Sequence, residues 1–253
     1  MHINVIIPLA GEGRRFKKKD FLKPKPLIKV FKKTLVEISI KSLGFKKANF
    51  YFVVKKYQNK KFNKELINIL KKYTTRNQII QIHKTTNGPV STCLKIKKID
   101  KNKPLIIANC DQYLNWKPKL FIDFIKKENA DGAVLTYKSR SKKNSFVALK
   151  KKRIIDIVEK KVISNHALIG VHYWRKTDLF FKTAKNLIFE LKKKKNKREP
   201  YISETYKYLL KKKLTLVSYS LNRGEYFLIG TPIDYYNFKN KYKNKKNDKR
   251  YFI

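Results

Sequence analysis

The chain has 253 residues, is 42% hydrophobic, and carries 63 lysines and arginines against 18 acidic residues, for a formal net charge of +45. That length and apolar fraction suit one good core, or one core plus a small appendage. Two cysteines, Cys93 and Cys110, exclude a disulfide framework or a cysteine-rich metal site, and no run of 18 apolar residues suggests a membrane-spanning helix.

The first predicted element is INVIIPLA, a β-branched run that reads as a buried strand ending at Gly11. TLVEISIKSL follows with helical spacing and Thr34 as its N-cap. Then come a strand (ANFYFVV), an amphipathic helix (FNKELINILKKY), a strand (QIIQIH), a helix (VSTCLKIKKI), and a strand (KPLIIANCD) closing on Asp111. Alternating strands and helices over the first 110 residues predict a parallel sheet with helices on both faces. After that, DGAVLTY, SFVALKK, RIIDIVEK and HALIGVHYW read as consecutive strands. LFFKTAKNLIFELKKK and YISETYKYLL read as helices, LTLVSYSL and EYFLIG as short closing strands, and TPIDYYNFKNKY as a last helix with Pro232 in its first turn. One domain over residues 1–238 is expected, with 239–253 a basic low-complexity tail that frays and carries no chemistry.

The stretch PLAGEGRRFKKKDFLKPKPL puts two glycines, two arginines and a proline-flanked lysine directly after the first strand. Glycines let backbone N–H groups approach phosphate oxygens, and fixed positive charge holds them. A dinucleotide-binding turn would need a third glycine where Phe16 stands, and a P-loop would need G-K-[ST]. A third pattern, G-x-G-x-R-[FL] followed by P-K-P, is met by Gly11, Gly13, Arg15, Phe16, Pro24, Lys25 and Pro26.

With NCDQYLNW, VEK at 158–160, SNHALIGVHYW and IGTPID in the same order, the chain resembles the sugar-phosphate nucleotidylyltransferases, also called NDP-sugar pyrophosphorylases. It is similar in particular to their short capsule and surface-polysaccharide branch. The resemblance covers Ile3 to about Phe238. It implies a Rossmann-like three-layer α/β sandwich with a mostly parallel central sheet, the nucleotide-diphospho-sugar transferase fold. The reaction implied is attack of a sugar 1-phosphate on the α-phosphorus of an NTP, with pyrophosphate leaving in line. The nucleophile is already an anion, so catalysis is positioning and charge neutralisation.

The resemblance assigns catalysis to Arg15 and Lys25, and nucleotide binding to Leu9, Ala10, Gly11, Gly13, Asn87, Gly88 and Asp111. Asp111, at the carboxyl edge of a strand, would hold Mg²⁺. Glu159 and Lys160 would face the acceptor, and Gly170 would let its ring approach the backbone. Three departures matter. Arg14 stands where relatives have a small hydroxyl residue, and His83 near where they read the base with an amide. Leu228 fills the usual place of a second metal carboxylate, which leaves Glu225 or Asp234 as substitutes.

The expected substrates are an NTP and a phosphate monoester. Cytidylyl transfer to a phospho-alcohol, choline or amino acid remains an alternative. A glycosyltransferase on a related fold is disfavoured by the single Asp in NCDQYL. The charge by itself suggests nucleic acid. The lysines are scattered, though, and Asn, Ile, Tyr and Phe are plentiful where Ala and Gly are scarce, the bias of an A+T-rich genome. No specific nucleic-acid partner and no membrane insertion are therefore expected. The short apolar start lacks a basic leader, so the expected location is the cytoplasm.

Overall fold

Strand β1 (Ile3–Leu9) buries six of its seven residues. Its alternation sends Val5, Ile7 and Leu9 into one apolar cluster and Ile6 into another, so the sheet must be covered on both faces. The structure, a computed structural model, describes residues 2–16, 21–73 and 78–243. In chain order β1 is followed by the hairpin β2 (Lys29–Val30) and β3 (Lys33–Thr34), α1 (Leu35–Leu43), β4 (Ala48–Lys55), α2 (Lys60–Lys72) and β5 (Gln78–Ile82). Next come α3 (Gly88–Cys93), β6 (Leu105–Ala108), β7 (Gln112–Leu114), α4 (Pro118–Lys127), β8 (Gly132–Lys138), β9 (Phe146–Lys150), β10 (Arg153–Val158) and β11 (His166–Trp174). The chain closes with α5 (Thr177–Lys193), α6 (Thr205–Lys211), β12 (Leu216–Ser220), β13 (Tyr226–Leu228) and α7 (Pro232–Lys243).

Among the described residues, one nine-stranded sheet runs β5-β4-β1-β6-β11-β8-β12-β10-β9. Strands β5, β4, β1 and β6 are parallel. Beyond them the sheet is mixed: β11 is antiparallel to β6 and β8, and β12 is parallel to β8. Side chains of α1, α2 and α4 pack on one face, and those of α3, α5 and α6 on the other. The result is a three-layer α/β sandwich.

Local chemistry sets the ends of several elements. Thr34 caps α1 as predicted, in a capping box whose Glu37 carboxylate accepts from the Thr34 backbone N–H at 2.8 Å. The predicted helix from Val90 stops at Cys93, because the amides of Lys95 and Ile96 bond only three residues back. The predicted strand to Asp111 ends at Ala108, and the Asn109 amide turns to the carbonyl of Gly170 at 2.8 Å. Asn4, buried in β1, donates to the Asp100 carbonyl and to Thr177 Oγ1, so its polarity is satisfied across the start of α5.

A third cluster packs α7 against the N-terminal part of the chain. Tyr235, Phe238 and Tyr242 of α7 pack on Phe16, Ile28 and Tyr113. Helix α7 therefore continues past Phe238 to Lys243, with Tyr242 buried. The expected tail from 239 is thus helical over its first five residues, and the remainder, 244–253, lies outside the described residues. No helix among the described residues is long and apolar enough to cross a membrane.

Candidate active site

A cleft of about 720 Å³ opens at the carboxyl ends of β1 and β6, where open α/β sheets bind ligands. Leu9, Ala10, Gly11 and Gly13 line one side, Asn87 and Gly88 another, and Lys25 and Asp111 are also part of its wall. Eight of the predicted site residues thus converge from four separate stretches of chain.

Gly13 has φ +61, and a Cβ there would lie 3.0 Å from the Lys25 Cβ. Both conformation and space therefore call for glycine. After it, Arg14–Phe16 form a short 3-10 turn whose Phe16 ring is buried. Arg14 lines the cleft and is held at 2.6 Å by Glu12. Arg15, the predicted catalytic arginine, is exposed and is not part of the cleft wall. It remains close enough to oppose the charge of Lys25.

Lys25 begins a second 3-10 turn behind Pro24, with Pro26 next. Its ammonium lies 2.5 Å from Asp111 Oδ2, both side chains being less than one-fifth exposed, and 5.6 Å from the Phe16 ring centre. Burial, the largest single effect, would lower the lysine's pKa, but attraction and hydrogen bonding to Asp111, with a contribution from Cys110, together outweigh it, and the net shift is upward. Cys110 also faces the cleft. Burial, reinforced by Asp111, pushes its thiol up to about 12, which leaves it protonated and a poor nucleophile.

The Asp111 carbonyl accepts from Ile229 at 2.8 Å. Its carboxylate would sit 3.0 Å from a Cβ on Gly230. Leu228 pairs with Gln112 in the β7–β13 ribbon and is partly exposed. Neither proposed substitute faces the cleft: Glu225 accepts from the Asn222 amide at 2.6 Å, and Asp234 from Thr231 Oγ1 at 2.7 Å. Among the described residues, no group of three or more His, Cys, Asp or Glu forms a ready metal cage. One carboxylate in the wall of this cleft still fits Mg²⁺, which keeps several waters and takes its other oxygens from substrate phosphates. The donor set suits an ion that arrives with the nucleotide.

On the opposite wall, Gly88 has φ +83, and a Cβ there would meet Pro200 at 3.0 Å. Pro89 follows in the first turn of α3. Gly88→Ala should therefore destabilise the protein by about 1–3 kcal/mol. The check is melting temperature, and an unchanged value would refute the argument. Asn87 spends its side-chain amide on the carbonyls of Lys197 and Arg198, at 3.3 and 3.1 Å. His83 is exposed and outside the cleft wall.

The three predicted acceptor residues are not part of the cleft wall. Glu159 accepts from Ser145 and, at 2.7 Å, from Ser203. Lys160, at φ +54, donates to the Tyr201 hydroxyl. Gly170 falls where the β11–β8 register shifts. A Cβ on it would lie 2.2 Å from the Asn109 amide nitrogen, so the glycine is required by Asn109, not left open for a ring. Asn109 and Glu199 both face the cleft, and the sequence reading missed both. Asn109 had a signal, a polar residue between an apolar strand and Asp111. Glu199 had no such signal, lying just ahead of the predicted helix YISETYKYLL.

Residues 4–245 match the family model described as nucleotidyl transferase. Among solved structures, the nucleoside-diphosphate-sugar pyrophosphorylase from Vibrio cholerae RC9 superposes with a TM-score of 0.79 at 19% identity, over 93% of this chain and 99% of that one. UTP-bound UGPase from Acinetobacter baumannii gives 0.74 at 15% identity, over 98% and 95%. The inositol-1-phosphate CTP transferase from T. maritima gives 0.69 at 15%, over 95% and 96%. No curated protein matches the chain. Over nearly its whole length, then, the chain belongs to the nucleotidyl transferase family and has the fold of the NDP-sugar pyrophosphorylases.

Proposed function

We propose that this nucleotidyltransferase joins an NTP to a sugar 1-phosphate, giving an NDP-sugar and pyrophosphate, in the cytoplasm and for surface polysaccharide synthesis. The observation behind this reading is the cleft itself, with a glycine turn and the Lys25 ammonium on one side and the Asn87–Gly88 loop facing it. An acceptor phosphate oxygen forms the new bond to the α-phosphorus, the bond to pyrophosphate breaks, and its electron pair leaves with pyrophosphate. Backbone N–H groups of residues 10–13 cradle the leaving phosphates, and Lys25 neutralises the charge that develops on them. Asp111 orients that ammonium. Leu9 and Ala10 shape the floor, and Gly88 lets a base lie against the backbone. Glu159 takes sugar hydroxyls and Lys160 the acceptor phosphate. Mg²⁺, held by Asp111 and substrate oxygens, would supply further charge neutralisation at the triphosphate.

Cytidylyl transfer to a non-sugar monoester is the second reading, since one of the superposed structures is an inositol-1-phosphate CTP transferase. A matrix of UTP, dTTP, CTP, GTP and ATP against sugar 1-phosphates, inositol 1-phosphate and phosphocholine decides between the two by pyrophosphate release. No release from any pair would overturn both.

Arg15→Ala should lower kcat/KM about 10–100-fold, the cost of one charge-assisted contact at the phosphates. Arg14→Ala, measured alongside, should cost less. The reverse order would transfer the phosphate contact to Arg14, the arginine that lines the cleft.

A further inference from the structure

The segment between α5 and α6 ties two parts of the site together. At one end Asn87 donates to the carbonyls of Lys197 and Arg198, and Gly88 lies against Pro200. At the other, Ser203 donates to Glu159, and Lys160 donates to the Tyr201 hydroxyl while its ammonium lies 4.4 Å over the Tyr201 ring. The same hydroxyl donates to Glu199 at 3.1 Å, and Glu199 faces the cleft. The segment is stiffened from within: Arg198 grips Glu204 through two bonds, at 2.8 and 2.6 Å, and Glu204 accepts from the Tyr201 amide at 2.9 Å.

We infer that Tyr201 is a positioning residue, whose hydroxyl and ring hold the Lys160 ammonium in place for an acceptor phosphate. The inference rests on the reading of Lys160 as the acceptor-phosphate contact. An exposed lysine loses rotamer freedom when it grips a ligand, and a side chain already held loses less. The chemistry of the holder matters. A carboxylate in direct contact would neutralise the ammonium and compete with phosphate. A neutral phenol orients the charge and leaves it available; here Glu199 sits one hydrogen bond further along, and Glu159 attracts the ammonium without a hydrogen bond to it. The hydrogen bond from Lys160 to Tyr201 raises the lysine's pKa against the smaller opposing effect of burial, so the ammonium stays charged while it waits.

Tyr201→Phe removes the hydroxyl, which lies at the exposed edge, and keeps the ring under the ammonium. The experiment is acetic anhydride labelling of Lys160, read by mass spectrometry on the full chain. The probes are glucose 1-phosphate, inositol 1-phosphate, phosphocholine and inorganic phosphate. The concentration of the best probe that half-protects Lys160 should rise about tenfold in the variant, the usual effect of losing one hydrogen bond to a charged group. Tripolyphosphate affinity, by calorimetry, and melting temperature should be unchanged. If the protection curves of variant and wild type overlay, Tyr201 has no positioning role and the reading of Lys160 stands. An equal loss of tripolyphosphate affinity would mean a general structural effect and would also overturn it. If no probe protects Lys160 in the wild type, the reading of Lys160 falls and the role of Tyr201 falls with it.

Discussion

Lys25→Met should give a folded protein whose turnover is reduced about 10²–10³-fold, the range for removing one preorganised group from a developing charge. The ammonium is fixed before substrate arrives. Pro24 and Pro26 restrict the backbone on either side, the Cβ packs against Gly13, and Asp111 holds the charge at 2.5 Å. Methionine keeps the length and apolar body of the stem and loses only the charge. It also leaves Asp111 without its partner, which should cost about 1–3 kcal/mol of stability. Arginine should not rescue turnover, because its planar fork cannot replace a compact point charge in a place shaped by Gly13 and Phe16. The pH dependence follows from the upward shift from the ordinary 10.5. The folded state holds this proton more tightly than the unfolded chain. The pair's contribution is therefore complete below pH 10.5 and is lost as pH rises through the folded value. No alkaline fall in activity below about pH 10 should come from Lys25. Pyrophosphate release, with melting temperature as control, tests this. Wild-type turnover in the folded variant would remove Lys25 from the mechanism.

Local interactions were legible in the sequence. Thr34 as a cap, Pro232 in a first helical turn, and the glycine turn after β1 each act within a few residues. So do the apolar, β-branched runs that became β1, β4, β8 and β11. The motif order located the cleft because the glycine turn follows β1 and NCDQYLNW follows β6, and the topology sets these two strands side by side. Helix α4 was missed although Pro118 opens it and Phe121 and Ile125 have helical spacing. Its residues follow NCDQYLNW directly, and the reading of that stretch stopped at the motif.

Contacts between distant residues were not legible. Lys25 and Asp111 are 86 residues apart, and nothing in either stretch announces that a proposed metal carboxylate also holds the proposed catalytic lysine. The order of Arg14 and Arg15 about the cleft depends on a 3-10 turn of three residues, which no periodicity can predict. The predicted helix from Tyr201 begins only at Thr205, and Glu199, just ahead of Pro200, faces the cleft, a placement no periodicity announces. Gly170 looked like an opening for a ligand. The reason for it, the Asn109 side chain, lies on another strand's end.

Asp111→Asn should be the most damaging single change, because one side chain carries two proposed duties. It holds Lys25 at 2.5 Å, and it is the carboxylate proposed for Mg²⁺, with Leu228, Glu225 and Asp234 all unfit to replace it. Asparagine keeps the shape and one oxygen and loses the charge. The Lys25 ammonium is then left with a weaker partner, which should lower stability by about 1 kcal/mol, since the pair retains some solvent contact. The two duties separate in a titration of activity against Mg²⁺. If Asp111 holds the ion, the half-saturating Mg²⁺ concentration should rise by about tenfold or more, and maximal turnover should recover only in part. If it merely orients Lys25, turnover should fall at every Mg²⁺ concentration with the midpoint unmoved, and Asp111→Asn combined with Lys25→Met should be no worse than Lys25→Met alone. A folded variant whose whole curve overlays that of the wild type would deny Asp111 both duties.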